Sequence, residues 1–108
     1  MTVSSLLNNG FSAVTLPEKD REVNGVYIGD LLSWVMSSAN ADNAWITIMT
    51  NINVVAVASL VDVACVILAE GVTPDEAVIA QAEAKGVNIL STDKTAYETS
   101  IALSELKL

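Results

Sequence analysis

From Ala44 to the C-terminus the chain alternates between strand-like and helix-like segments, and this alternation most narrows what it can fold into. AWITIM (Ala44 to Met49) is rich in β-branched and aromatic residues and reads as the strongest strand. Thr50, Asn51 and Asn53 then supply capping side chains before VVAVASL, a small apolar segment suited to a helix packed closely on both sides, which Asp62 breaks. ACVILA (Ala64 to Ala69) is a continuous apolar run of strand length, the mark of a strand buried on both faces. Thr73-Pro74-Asp75-Glu76 places a capping hydroxyl, a proline at the first helical position and a glutamate at the capping-box position. Lys85-Gly86 closes that helix with a cation and a left-handed stop. Val87 to Leu90 is a further strand, and Thr92 or Asp93 caps a last helix through Ala96, Ile101, Leu103 and Leu106.

Such an order implies parallel strands joined by right-handed crossovers, with helices covering both faces. The expected fold is α/β, a three-layer domain with a mostly parallel sheet of about five strands. Ahead of Ala44, Thr2 caps a short helix over Val3, Leu6 and Leu7 that Gly10 ends. Phe11 to Thr15 and Val23 to Ile28 read as strands, separated by LPEKDRE (Leu16 to Glu22), the only dense charge cluster and therefore a loop. These two strands are expected to extend the sheet at one edge. Asp30 stands as an N-cap for a helix over Leu31 to Ser38, and Ala39 to Asn43 is a turn.

At 108 residues the chain is one domain, 1–108, and the scaling of surface with mass gives roughly 5,800 Å² of folded surface. A 52% hydrophobic composition excludes disorder. Five Lys and Arg against thirteen Asp and Glu leave a formal charge of -8, which repels phosphate backbones, so no nucleic-acid partner is expected. The N-terminus lacks the charged start of a signal peptide, and Ser59 and Asp62 interrupt the apolar stretch from Asn53 to Ala69, so no membrane partner is expected either. The reading is of a cytoplasmic protein.

With no histidine and a single cysteine, no Ser-His-Asp triad, Cys-His pair, histidine base or Cys/His zinc site can form within one chain. Cys65 lies inside a buried strand and reads as an inert core thiol. Neither GxxxxGK[ST] nor GxGxxG occurs, so ATP-dependent chemistry has no foothold. A carboxylate metal site would need Asp30, Glu70 and Asp93 to converge, and nothing in their spacing requires it. The chain therefore reads as no enzyme and as needing no cofactor or metal.

In an open parallel sheet, ligands sit beyond the carboxyl ends of the strands. There the chain presents Thr50, Asn51 and Asn53, then Gly71, then Ser91, Thr92 and Asp93, a rim on which an anion or nucleotide could rest. The same residue types cap helices, and the plainer reading is that they do only that. The segment after Asp30 is different. Leu31, Leu32, Trp34, Val35 and Met36 exceed what one inward stripe can bury. Either both faces are covered within the domain, with Trp34 under the N-terminal helix, or a second chain covers one of them. The shortage of charge favours a homodimer, with Trp34, Leu31 and Val35 at its interface and another protein as a further partner.

WITIMTNINVVAVASL, ACVILAEGVTPDE and GVNILSTDKTAYET, taken together, resemble the DRTGG domain family. The strand–helix junction of that family is present as Ile89, Leu90, Ser91, Thr92, Thr95 and Tyr97. Many members carry an Asp-Arg pair where this chain has Thr50, Asn51, Ile52 and Asn53, and Glu70-Gly71 is a reduced form of the family's Thr-Gly-Gly. The resemblance implies a fold like the N-terminal domain of HPr kinase/phosphorylase. It further implies a regulatory or dimerising module rather than a catalyst. The alternative is a small-ligand sensor at the rim.

Overall fold

The computed structural model describes residues 1–106. A 3₁₀ helix (Ser4–Asn9) precedes β1 (Ser12–Thr15), β2 (Gly25–Ile28), α1 (Leu32–Ser38), β3 (Asn43–Thr47), α2 (Ile52–Val61), β4 (Cys65–Leu68), α3 (Glu76–Lys85), β5 (Ile89–Ser91) and α4 (Ala96–Glu105). The strands form one sheet in the order β1-β5-β4-β3-β2. The last four are mutually parallel, and β1 runs antiparallel to β5. The expected α/β, three-layer arrangement is found.

Period-two burial divides the core. Trp45, Val66, Leu68 and Ile89 face α1, α2 and α3, whereas Ala44, Ile46, Cys65, Ile67 and Leu90 face α4 and the N-terminal 3₁₀ helix. β3 and β4 are buried throughout, as the unbroken apolar run from Ala64 to Ala69 required. Desolvation pushes the Cys65 thiol up to about 12, so it stays protonated and inert.

The first two strands do not share an edge, contrary to expectation. Thr15 fixes β1 beside β5, its hydroxyl donating to Val87 O at 2.7 Å and accepting from Ile89 N–H at 2.9 Å. A crossover through α1 ties β2, parallel, to β3 on the far side. The charged Leu16–Glu22 segment therefore crosses beneath the sheet. It is strapped to Asn88 through Glu18, and to Asp42 and Asp62 through Arg21, whose guanidinium reaches the two carboxylates at 2.6 and 2.7 Å.

Several caps fall where a different residue makes the better bond. Asn51 caps α2, as expected, accepting from Asn53 N–H at 2.9 Å. Thr73 does not cap α3. Pro74 is buried ahead of the helix, and Asp75 accepts from Val78 N–H at 3.0 Å, where its charge also meets the positive end of the helix dipole. Neither Thr92 nor Asp93 caps α4, because Thr95 and Glu98 form a reciprocal capping box there. Asp30 is no cap for α1; its carboxylate instead receives Thr47 Oγ1 at 2.7 Å and Ile48 N–H at 3.0 Å, pinning the loop after β2 to the end of β3. In urea, Asp75→Ala is expected to lose about 1 kcal/mol, whereas Thr73→Ala should change stability by no more than a few tenths. The reverse order would return the cap to Thr73.

Candidate functional site

Helix α3 leaves the carboxyl end of β4 toward one face of the sheet, and α4 leaves β5 toward the other. Two adjacent parallel strands whose following helices diverge open a crevice between their carboxyl ends. A cleft of about 170 Å³ lies there, lined by Gly10, Ser12, Gly71, Val72, Thr73, Ser91, Thr92 and Asp93.

The walls are two loops that continue the β4–β5 ladder beyond the strands. Thr92 N–H donates to Leu68 O at 3.0 Å, Gly71 N–H to Thr92 O at 3.0 Å, and Glu70 N–H to Lys94 O at 2.8 Å. Glu70 and Gly71 both turn left-handed, with φ of 59° and 73°. A Cβ on Gly71 would come within 3.1 Å of Asp93 Oδ1, so glycine serves both the turn and the close approach of that carboxylate. Lys94 brings its ammonium over Gly10, 3.3 Å from where a Cβ would stand. A cation and a carboxylate thus stand beside a mouth otherwise supplied with hydroxyls from Ser12, Thr73, Ser91 and Thr92. This set can hold a small polar group by hydrogen bonds. A histidine-activated nucleophile has no place in it, since the chain lacks histidine.

Of the residues expected on the rim, Gly71, Ser91, Thr92 and Asp93 meet in this cleft. Thr50, Asn51 and Asn53 do not line it. Asn51 is occupied as a cap, and Asn53 lines a larger groove between α2 and α3 with Ile52, Leu60, Gln81 and Lys85. Gly10 and Ser12 were not expected. They reach the cleft because β1 lies antiparallel to β5, with Ser12 opposite Ser91, and no local signal in the sequence specifies that pairing. Among the described residues, no three of Asp, Glu and Cys group as a metal centre.

A second feature is the outer surface of α1. Trp34 is 66% exposed and Leu31 58%, with Met36 exposed beside them. Trp34 does not pack under the N-terminal helix, which lies against the opposite face of the sheet. Val35, expected at an interface, is fully buried within its own chain, since it is the inward residue of this short helix.

No curated protein sequence matches the chain. Among solved structures it is similar to the crystal structure of the CBS and DRTGG domains of the regulatory region of Clostridium perfringens pyrophosphatase, complexed with the activator diadenosine tetraphosphate. The TM-score is 0.75 at 16% identity, covering 93% of this chain and 44% of that one, a likeness of fold. The sequence profile of the DRTGG domain matches residues 13–106, and the chain accordingly belongs to the DRTGG domain family.

Proposed function

We propose that the chain is a non-enzymatic regulatory or interaction module that associates with a second copy of itself through the surface around α1. Exposure of Trp34 carries this reading. A tryptophan left two-thirds in water, beside Leu31 and Met36, gains most by burial against another protein surface, and a two-fold pairing covers both copies of the patch at once. The solved DRTGG domain of the pyrophosphatase lies in a regulatory region, which supports a regulatory role here. Kinship with the N-terminal domain of HPr kinase/phosphorylase and a cytoplasmic setting belong to the same reading. Among the described residues no helix is long and apolar enough to cross a membrane.

Light scattering is the test. The wild type should show twice its 11.4 kDa mass at micromolar concentration. In Trp34→Ala, the dissociation constant should rise roughly 1,000-fold, for a hot-spot loss of about 2 kcal/mol at each of the two copies. A monomeric wild-type mass would overturn the proposal.

A second reading, a small-ligand sensor, is favoured by the cleft between β4 and β5. Its 170 Å³ is smaller than the roughly 300 Å³ at which drug-sized pockets begin, so it suits an anion or the phosphate end of a nucleotide. Thermal-shift measurements with inorganic phosphate and adenine nucleotides should then show a stabilisation that Lys94→Ala abolishes and Asn51→Ala leaves intact. The same shift in Lys94→Ala would exclude the cleft.

A further inference from the structure

The self-association proposed above leaves its geometry open, and the free edge of β2 supplies one. Among the described residues β2 has no neighbour on its outer side and pairs with β3 alone. Gly29 N–H reaches Ile46 O at 3.2 Å, while Asn43 O and Thr47 O accept the amides of Ala64 and Ala69 from the β4 side. Backbone groups alternate along a strand, so Gly25 and Tyr27 turn toward β3. The N–H and C=O groups of Val26 and Ile28 are left facing outward.

The two edges of the sheet are built differently. β1 carries a register irregularity between Ala13 and Thr15 and runs into Pro17, Glu18, Lys19 and Asp20, features that discourage pairing. β2 carries none of these. Between Val23 and Ser38 the only charge is Asp30, and its carboxylate is engaged by Thr47 and Ile48. On a chain of net charge -8, this is a stretch where two copies can approach without setting carboxylate against carboxylate. Exposed apolar side chains flank the edge: Val26 and Ile28 on the α4 face, in register with Ala44 and Ile46, and Trp34 and Leu31 from α1.

We propose that two copies of the chain pair antiparallel along β2, about a two-fold axis at Tyr27, so that their sheets become continuous. In this register Val26 of each chain lies opposite Ile28 of the other. All the outward N–H and C=O groups of these residues then pair, giving four hydrogen bonds, and Val26 meets Ile28 as an apolar cross-strand pair. The axis makes the contact self-complementary, which selects a second copy over an unrelated strand.

The test combines light scattering with cysteine crosslinking. An equal mixture of Val26→Cys and Ile28→Cys chains, mildly oxidised, should yield the mixed disulfide dimer, because opposed residues in such a pair stand about 5.5 Å apart at Cα. Either variant alone should crosslink far less, since its cysteines lie diagonally across the axis, and the native Cys65 is buried. Val26→Pro removes an outward N–H at a position where an edge strand tolerates proline, so it should keep the circular dichroism of the wild type and halve the mass. A dimeric wild type whose mixture gives no mixed disulfide overturns this pairing and leaves self-association standing. A monomeric wild type overturns both.

Discussion

Replacing Trp45 with alanine is expected to remove about 3–5 kcal/mol of stability, a large fraction of what a domain of this size possesses. The indole is fully buried at the middle of β3, among Val35, Val54, Val55, Val66 and Leu68, where α1 and α2 meet the sheet. Its Nε1–H donates to Gly29 O at 2.9 Å, so the same side chain fills the core and holds the turn after β2. Alanine loses the packing, leaves a cavity and orphans that carbonyl. Trp45→Phe keeps most of the volume and should cost less, about 1–2 kcal/mol. Urea unfolding measures both, and the contrast with Trp34, 66% exposed, gives a second readout. In the dissociated chain, fluorescence should divide into an acrylamide-accessible Trp34 and a protected Trp45, and the protected population should vanish in Trp45→Phe. An unchanged urea midpoint in Trp45→Ala would place the ring outside the core.

The alternation that fixed the class was legible because each buried strand must be apolar on both faces and each helix must be capped. AWITIM and ACVILA became β3 and β4 with ends shifted by one or two residues. Local patterning did not carry the choice among competing caps. Thr73, Asp75, Thr92, Asp93 and Thr95 all have acceptor side chains, and which one bonds depends on where the chain descends from the sheet. Nor did it carry the edge taken by β1, which is settled by a Thr15 hydroxyl meeting residues more than seventy positions away. The cleft inherits that gap. Gly71 and Ser91–Asp93 were visible as strand ends, but Gly10 and Ser12 join them only through the β1–β5 pairing. The outward face of α1 was legible as an excess of apolar residues, whereas the inward turn of Val35 required the helix phase.

Asn88 shows how much of the fold rests on a residue with no local signature, and Asn88→Ala is expected to cost about 2–4 kcal/mol. In sequence it sits unmarked within Val87 to Leu90. In the structure it is 2% exposed and makes three hydrogen bonds: Nδ2 donates to Glu18 O and Ala64 O, both at 2.8 Å, and Oδ1 accepts Glu18 N–H at 2.9 Å. One amide thus joins the strap beneath the sheet to the start of β4 and to its own segment before β5. Alanine leaves a backbone donor and two carbonyls short of partners, each worth about 1–3 kcal/mol when water cannot replace the bond, and the exposed side of Glu18 softens the sum. Asn88→Asp separates geometry from chemistry. It keeps the acceptor for Glu18 N–H but sets a carboxylate against two carbonyl oxygens, which raises its pKa in the folded chain. A raised carboxyl pKa disfavours the folded state where the group is ionised, so the deficit of this variant relative to wild type should be largest near pH 7. It should shrink as the pH falls and the acid regains a proton to donate. Urea midpoints at pH 7 and pH 4.5 measure the difference. Equal deficits at both would mean that the side chain at this position never faces the two carbonyls, and the strap would then be held by Arg21 and its bonds to the N-terminal segment.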